Sequence, residues 1–330
     1  MNVSCLNLYV QMILNIGMNK QLTVCICTYN MHAMLHECLI SLINQRSPAS
    51  DFEVLVLDNS HEITDTLNYM RCKALCKLHG YRYVEEVTDG LSGARNRCIE
   101  LTDTELIHYI DDDAVARPWF THNILKLYNN HPDCMATGGK VHLDWRLVDR
   151  PVWLPEGCAQ EALLSKIDFG NKILDYRTKD QPVWWLAGAN FGFRRCVVEV
   201  VGKFDTNLGR KGNTKSLLGQ EENVYLKDIK RKVGRVLYSP RIIVGHIIQP
   251  ERAKPEWFYK RTCWQAVGDI MSNDLYMNGM KKVGKNHIKD YLHTLLEPDD
   301  PKTPQEFQER LLTFKYLSFY SLYTGDIRPL

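Results

Sequence analysis

The chain has 330 residues, of which 45% are hydrophobic and 24% charged, an ordinary composition for a globular protein. Its net charge of +2 gives no global positive field, which argues against a charge-driven nucleic-acid binder. The 11 cysteines are scattered without a C-x-x-C pair, and no window reaches the roughly 18 apolar residues of a spanning helix. We therefore expect reduced thiols and a cytoplasmic location, with peripheral contact at the inner face of a membrane as an option.

Residues 1–20 are mildly apolar, but polar side chains interrupt them, and neither a charged first region nor a small-residue cleavage site is present. This pattern argues against a signal peptide. Met18 begins a stretch, MNKQLTVCICTYN, that looks like a natural start. We expect residues 1–20 to lie outside the core fold and leave open whether residues 1–17 belong to the native protein.

From residue 22 onward, apolar runs alternate with segments of helical spacing. Strands are predicted at 22–30, 52–60, 81–87 and 106–114, and helices at 34–45, 63–80 and 90–102. This alternation predicts a mostly parallel sheet with helices on both faces. Ligands bind such sheets at the carboxyl ends of the strands, where Asn30, Asp58 and Asp111–Asp113 lie.

The second half of the chain is less regular. Strands are predicted at 136–146, 183–195 and 235–246, an amphipathic helix at 222–234, and mostly helix from 254 onward. The intervening residues 147–182 are predicted to be loops with short helical pieces. The glycine-bearing stretch 207–223 has the composition of a mobile loop.

Three adjacent carboxylates, Asp111, Asp112 and Asp113, end the strand predicted at 106–114. Acidic clusters are most often solvated surface, but this one follows a buried strand at the ligand-binding edge of the sheet. Along an extended chain, Asp111 and Asp113 face one side and Asp112 the other. Two carboxylates on one side suit Mg²⁺ or Mn²⁺, which usually also takes phosphate oxygens.

Successive segments resemble the motifs of family-2-type glycosyltransferases with the GT-A fold. The segments are VCICTYNMHAMLHECLISLINQ, EVLVLDNS, GLSGARNRCIE, HYIDDDAVARPWF, WWLAGANFGFRR, GKFD, GQEEN and VGHIIQPERAKPEWFYKR. The resemblance implies an α/β fold, with a GT-A-type (Rossmann-like) mixed, mostly parallel sheet flanked by helices over residues 21–250. It also implies a helical C-terminal extension over 251–330, at the acceptor side or at an oligomer contact.

The resemblance assigns donor-binding roles to the first two loops and the third helix. Thr28 and Tyr29 would lie near the base and ribose of a nucleotide-diphospho-sugar, with Asn30 beside them. Asp58 would hydrogen-bond the base. Arg95 would contact the base or the phosphates.

The resemblance also implies a divalent metal, Mn²⁺ or Mg²⁺, on the diphosphate. Asp113 would ligate the metal and Asp111 would meet the metal or the ribose, while Asp112 points away or reaches the sugar. His246 would be a metal or phosphate ligand, although a lone histidine is usually structural. Arg252 could reach the phosphates instead. Imidazole is an acceptable ligand for Mn²⁺ but a poor one for Mg²⁺.

Two further segments complete the predicted site. In WWLAGAN, Trp185 would stack on a sugar face, the backbone at Gly188 and Ala189 would approach the donor, and Asn190 would join them. The same segment fits an aromatic core followed by a turn. In GQEEN, the resemblance implies a general base, and we favour Glu222 over Glu221, although acids at a helix start are also favoured by the dipole alone. The family commonly has Asp at the second position, so Glu222 is a departure from its pattern.

We therefore predict an inverting glycosyltransferase in bacterial glycan or glycoconjugate biosynthesis. It would move a sugar, with a UDP-sugar favoured, to a hydroxyl of a glycan, lipid-linked, peptide or small-molecule acceptor. One alternative is a non-catalytic scaffold in a glycan assembly complex, but both acidic motifs are intact. Another is a sugar-nucleotidyltransferase, which would normally carry a glycine-rich phosphate loop where this chain has TYNMHAM.

Two C-terminal segments are open to more than one interpretation. EWFYKRTCWQ (256–265) fits an amphipathic core helix or a helix at a membrane surface or lipid-linked acceptor. Residues 305–323 have helical spacing and would pack on the domain or pair with a second chain. The loop near 207–220 either closes over the donor or is plain surface.

Overall fold

The structure of the protein is a computed structural model that describes residues 20–212, 214, 216–271 and 300–324. The predictions made for residues 1–17 fall outside these ranges. Among the helices that are described, none is both long and apolar enough to cross a membrane.

The first half of the chain forms the predicted alternation of strands and helices. Its elements are β1 (Leu22–Thr28), α1 (His32–Ile43), β2 (Phe52–Asp58), α2 (Thr66–His79), β3 (Arg82–Glu85), α3 (Gly90–Leu101) and β4 (Leu106–Ile110). All four strands are parallel, in the order β3-β2-β1-β4. The apolar runs of β1, β2 and β4 are almost fully buried, which explains why they lack the polar alternation of a half-exposed strand, whereas β3 at the edge is only partly buried.

The second half adds antiparallel and parallel strands on the other side of β4. Its elements are β5 (Ala114–Ala116), α4 (Phe120–Asn130), β6 (Cys134–Asp144), β7 (Leu174–Asp175), β8 (Asn190–Arg194), α5 (Val198–Val201), α6 (Glu221–Lys232), β9 (Arg235–Ile247), α7 (Pro255–Met271) and α8 (Pro304–Thr324). Short 3₁₀ turns occupy Ala159–Leu164, Arg195–Val197 and Pro250–Ala253. The described strands form one sheet in the order β3-β2-β1-β4-β8-β6-β9-β5, with β7 pairing on β9. The predicted mixed α/β sheet is therefore confirmed.

One predicted strand, 106–114, is interrupted in the structure. β4 ends at Ile110, and the Ala114 amide donates to the Asp111 carbonyl at 3.1 Å, so the three aspartates form a turn. β5 then runs antiparallel to β9, with Ala114 opposite His246. The Ile247 amide donates to the Asp113 carbonyl at 2.8 Å. This pairing places His246, near the C-terminal end of β9, beside the aspartate turn.

A second apolar cluster joins the two C-terminal helices to the loop that follows β6. Its buried members are Trp153, Leu154, Leu164, Ile248, Phe258, Phe307 and Leu311. The Phe307 ring lies 4.3 Å from that of Trp153 and 5.3 Å from that of Phe258. The described part of the 251–330 segment thus packs on the sheet domain, which supports the predicted helical extension. Its boundary at residue 250 and its pairing with a second chain stay predictions.

We expect Phe307→Ala to lower the free energy of unfolding by about 3–5 kcal/mol, because it empties the centre of this cluster. Urea unfolding followed by circular dichroism measures the change. Leu147→Ala is the control, since that side chain is 46% exposed and its truncation should cost less than about 0.5 kcal/mol. Equal stability of the two variants would show that α8 does not pack on the domain.

Candidate active site

A cleft of about 410 Å³ opens where β1 and β4 end and α6 begins. The charged residues on its wall are Arg95, Asp111, Asp112, Asp113, Arg210, Lys211, Glu221, Glu222, Glu251, Arg252 and Arg261. Thr28, Tyr29, Gly188 and Ala189 line it as well. Most of the predicted site residues, drawn from five separate segments, therefore meet in one cleft.

Asp111, Asp113 and His246 form a group of metal-ligand type. One ligand atom from each lies within 4.8 Å of the others. The His246 Nδ1 lies 2.9 Å from the Leu164 carbonyl, and since a carbonyl only accepts, Nδ1 carries the proton. The His246 Nε2 lies 3.2 Å from Asp113 Oδ1. Metal-binding histidines commonly donate their other ring N–H to a carbonyl or carboxylate, as Nδ1 does here, and this fixes the ring orientation. Two carboxylates and one imidazole nitrogen are ligands that fit Mn²⁺.

Arg252 supplies positive charge to the same group. Its Nη2 lies 2.9 Å from Asp113 Oδ2, and its Nη1 donates to His246 Nε2 at 3.0 Å. Burial would raise the pKa of Asp113, but His246 and Arg252 lower it below its ordinary value. Asp113 is therefore an anion at neutral pH and is already paired with a cation.

Asp112 differs from its two neighbours. Burial, followed by the negative charge of Asp113, raises its pKa well above the ordinary value, and no arginine forms an ion pair with it in the described chain. It lines the cleft without joining Asp111, Asp113 and His246. Asp111 and Asp113 thus fall into one group with His246, but all three aspartates line the same cleft and form a turn, not the extended strand that the alternation argument assumes.

A buried ion pair joins Arg95 to Glu221. Arg95 Nη1 lies 2.6 Å from Glu221 Oε1, and the two side chains are 2% and 5% exposed. The guanidinium also lies 5.1 Å from the Phe191 ring centroid and 3.8 Å from Asp111 Oδ1. A side chain at Gly188 would place its Cβ 2.8 Å from Arg95 Nη2, so glycine is required for this close approach.

Glu222 begins α6 beside this pair but is not paired itself. Its Oε2 is buried and has no hydrogen-bond partner among the residues that the structure describes. Burial, followed by the negative charge of Glu221, raises the pKa of Glu222 to about 8. A carboxylate with a pKa in this range is suited to take a proton near neutral pH.

The glycine-bearing loop before α6 lies over the cleft. The Leu91 amide donates to the Arg210 carbonyl at 2.8 Å, and Ser92 Oγ donates to the Leu208 carbonyl at 2.7 Å. Gly212 lies against the ring of Tyr29 so closely that a Cβ would overlap it. The loop is therefore in a closed position in this structure.

Besides His246, which contacts Asp113 from outside the lining, four predicted site residues do not line the cleft. Asp58 is 2% exposed and accepts hydrogen bonds from Tyr83 Oη at 2.6 Å and from the Ser60 amide and hydroxyl, with His32 Nε2 at 2.8 Å. Its neighbour Asn59 lines the cleft instead. The assignment of Asp58 to the nucleotide base stays a prediction.

The other three are Asn30, Trp185 and Asn190. Asn190 is fully buried, and its amide nitrogen donates at 3.0 Å to two backbone carbonyls, those of Lys140 and Ile242. Trp185 packs against the hydrophobic core, and Asn30 Oδ1 accepts weakly from a backbone amide at 3.4 Å. The geometry of Trp185 therefore fits the alternative sequence interpretation, an aromatic core followed by a turn, better than it fits a surface on which a sugar stacks.

Sequence reasoning assigned no role to Arg210. It offered contact with a membrane surface or lipid-linked acceptor as one alternative for the segment that holds Trp257 and Arg261, but it did not bring these two residues to the cleft. Each looks unremarkable in sequence, because one arginine lies in a polar loop and the other two residues lie on a helix of ordinary amphipathic pattern. Only the fold brings them to the cleft. Helical spacing could have given one signal, since Trp257 and Arg261 are four residues apart and share a face of α7.

The sheet is an α/β sheet of the nucleotide-binding type. An acidic turn lies at the carboxyl end of β4, and an acidic pair lines the same cleft. Together these features define a sugar-nucleotide-dependent transferase. The sequence matches the profile described as Glycosyl transferase family 2 over residues 23–202, more than half of the chain. The chain belongs to this family and is a glycosyltransferase with a nucleotide-sugar donor.

Individual relatives are similar along most of the chain. The Glucosyl-dolichyl phosphate glucuronosyltransferase of Haloferax volcanii is 27% identical over 294 residues, 86% of this chain and 89% of the relative. Two solved structures share the fold. Staphylococcus aureus TarS 1–349 with UDP-GlcNAc has a TM-score of 0.52, 14% identity and 92% coverage of each chain. The mannosyltransferase PcManGT of Pyrobaculum calidifontis with GDP-Man and Mn²⁺ has a TM-score of 0.51 and 15% identity, covering 97% of this chain and 82% of that one.

We expect Arg95→Met to lower the free energy of unfolding by about 3–5 kcal/mol, because it leaves Glu221 buried without a counter-charge. Urea unfolding measures the effect. The double variant Arg95→Met with Glu221→Leu should recover most of the loss, since no uncompensated charge remains.

Arg97→Met on the same helix is the control for this cycle. The Arg97 side chain is 33% exposed and its ion pairs lie at the surface, so it should cost less than about 1 kcal/mol. A single Arg95 variant as stable as this control would contradict the assignment.

Proposed function

We propose that the protein is an inverting, metal-dependent hexosyltransferase that moves a sugar from a UDP-sugar to a hydroxyl of a lipid-linked acceptor. The observation that carries this proposal is Glu222, which lines the same cleft as the Asp111–Asp113 turn and whose buried Oε2 has no hydrogen-bond partner among the described residues. Glucosyl-dolichyl phosphate, after which the Haloferax relative is named, supports the acceptor class. The UDP-GlcNAc complex of TarS favours UDP weakly, since another structure with the same fold holds GDP-Man.

The nucleotide diphosphate is proposed to lie at the Asp113 end of the cleft. Thr28 and Tyr29 are positioned for the nucleoside, and Asp111, Asp113 and His246 would hold Mn²⁺ or Mg²⁺. A divalent ion there supplies positive charge to the departing nucleotide diphosphate. The nitrogen ligand favours Mn²⁺ of the two.

Glu222 is proposed to take the proton from the acceptor hydroxyl. The hydroxyl oxygen forms a bond to the anomeric carbon while the bond from that carbon to the diphosphate oxygen breaks, and the proton passes to Glu222. Attack from the face opposite the leaving group inverts the anomeric configuration. A high pKa suits this role, because the carboxylate must be basic enough to accept the proton near neutral pH.

Glu221 is proposed as a positioning residue rather than as the base. Its Oε1 is bound to Arg95, whose guanidinium also lies near Asp111. A carboxylate committed to an ion pair is a weaker base than its unpaired neighbour. The pair joins the start of α6 to α3 and so is proposed to hold Glu222 towards the cleft.

The direct test of the function is a thermal-shift and donor-hydrolysis screen of UDP-, GDP- and dTDP-sugars, each with Mn²⁺ and with EDTA. At least one UDP-sugar should raise the melting temperature and be hydrolysed slowly in the presence of Mn²⁺. If no nucleotide sugar binds with metal present, the proposed function is wrong.

Asp113→Asn should remove the metal-dependent part of nucleotide binding. In the wild type, UDP should bind more tightly with Mn²⁺ than with EDTA. The variant should lose at least about tenfold of this Mn²⁺-dependent gain in affinity. Even residues that only hydrogen-bond to metal ligands contribute about 10–100-fold to metal affinity. Calorimetric titration of UDP measures both affinities. Asp228→Asn, a partly exposed aspartate on the outer part of α6, should bind like the wild type. An undiminished gain in the Asp113 variant would place the metal elsewhere.

Glu222→Gln should keep donor affinity but lower the transfer rate by at least about 100-fold, the usual scale for loss of a general base. Because only the ionised carboxylate accepts a proton, kcat/KM of the wild type should rise with pH up to about 8 and then level. The variant should lack this rise.

Glu221→Gln provides the comparison, with its stability measured in parallel. Near-normal transfer and an unchanged pH profile in the Glu222 variant, together with a stable but inactive Glu221 variant, would assign the base to Glu221.

A further inference from the structure

Two cysteines that the reaction steps above do not use lie in contact at the wall of the cleft. Cys27 on β1 and Cys98 on α3 are 71 residues apart in the chain, and their sulfur atoms lie 3.9 Å apart. Both are free thiols. Since a disulfide needs about 2.0 Å between its sulfurs, a further approach of about 1.9 Å would join them.

The two thiols differ in their access to solvent. Cys27 is partly exposed and lines the cleft beside Thr28 and Tyr29. Cys98 is fully buried, and contact with the thiols of Cys25 and Cys27, together with burial, raises its pKa well above the ordinary value. A reagent in the cleft therefore meets Cys27 first. Redox-sensitive cysteines are accessible thiols of this kind, often with a second cysteine beside them.

The other cysteines of the described chain lack this combination. Cys25 lies on the same face of β1 as Cys27, but it is fully buried, and its sulfur contacts the Thr102 hydroxyl at 4.0 Å. Cys72 and Cys76 on α2 are also buried. Of the cysteines in the described ranges, Cys27 alone lines the cleft. It is therefore the thiol that a small reagent reaches from the donor site.

The cysteine pair is joined to groups that shape the donor site. Cys27 directly precedes Thr28, which lines the cleft. Cys98 lies about one helical turn after Arg95, whose guanidinium pairs with Glu221. An approach of the two sulfurs therefore displaces the end of β1 or the middle of α3, and with it the wall of the cleft.

We propose that Cys27 and Cys98 form a site of reversible oxidative modification, at which a low-molecular-weight disulfide such as glutathione disulfide links them and so weakens donor binding. The Cys27 thiolate attacks one sulfur of the reagent, whose S–S bond breaks and releases one thiol. The Cys98 sulfur then loses its proton and attacks the Cys27 sulfur, which releases the second thiol. The two cysteines lose two electrons and two protons, and the reagent gains them as two thiols.

The first test detects the bond itself. Reduced protein is treated with glutathione disulfide, free thiols are alkylated, and peptides are mapped by mass spectrometry without reduction. A peptide pair joined through Cys27 and Cys98 should appear, and dithiothreitol should separate it. UDP with Mn²⁺, at about ten times its dissociation constant, should slow the reaction about tenfold, because only the unliganded protein exposes Cys27 to the reagent.

The second test measures the effect on the donor site. Calorimetric titration of UDP with Mn²⁺ should give an affinity at least about tenfold lower for the cross-linked protein than for the reduced protein, since displacements of about 1 Å in positioned groups have effects of this size or larger. Treatment with dithiothreitol should restore the affinity.

Three variants separate the steps. Cys98→Ala should stop the reaction at the first step, so that a glutathione adduct on Cys27 accumulates without a cross-link. Cys27→Ala should form neither product, and its UDP affinity should not change on oxidation. Cys76→Ala is the matched control, because it also removes a buried cysteine and should cross-link like the wild type.

Two results would overturn the proposal. In the first, treated wild-type protein would yield Cys27 and Cys98 as free thiols, a glutathione adduct alone, or a cross-link between Cys25 and Cys98. In the second, the cross-linked protein would bind UDP as tightly as the reduced protein does. Failure of the proposed function is seen separately, as reduced wild-type protein that binds no nucleotide with Mn²⁺.

Discussion

The concentration of negative charge in one cleft is the constraint on which this structure depends. Six carboxylates line it, and five of them come from the two acidic motifs, namely Asp111, Asp112, Asp113, Glu221 and Glu222. Carboxylates taken out of water at such short range are tolerated only with compensation. Guanidinium groups provide it unequally, since Arg95 neutralises Glu221 and Arg252 neutralises Asp113. Asp112 and Glu222 have no ion-pair partner among the described residues, and Asp111 has only the distant Arg95 at 3.8 Å. Burial and neighbouring carboxylates raise the pKa of all three.

The sheet determines which charges meet. The parallel half ends its strands at one edge, so Thr28 and the aspartate turn face the same space. The antiparallel pairing of β5 with β9 then places His246 opposite Ala114, beside Asp113. A turn of three residues between β4 and β5 is required for this, because a continuous strand would carry the third aspartate past the histidine. The site therefore depends on the reversal of strand direction as much as on the residues themselves.

Sequence periodicity predicted the first half of the fold closely, since buried strands and amphipathic helices differ in spacing and glycines mark their ends. Gly80, for example, ends α2 with a φ of 67°, which favours glycine. The order of the motifs along the chain located Asp111–Asp113, because these aspartates directly follow a predicted strand. Asp58 and Asn190 were harder to interpret, since their hydrogen-bond partners come from distant segments. Arg210 and Arg261 were not placed at the cleft, because a solvated arginine and one that faces a cleft look alike in sequence.

The contact of Arg252 with both Asp113 and His246 has a thermodynamic consequence. A metal ion bound to Asp113 and His246 would compete with the guanidinium of Arg252. The metal alone would therefore bind less tightly than the same ligands would bind it without the arginine. A diphosphate offers the displaced guanidinium a new anionic partner. If the proposed metal and nucleotide sites are correct, the two ligands would bind with positive coupling, and by reciprocity each would raise the affinity of the protein for the other by the same factor. After transfer, loss of either one would then weaken retention of the other and favour return of Arg252 to its partners.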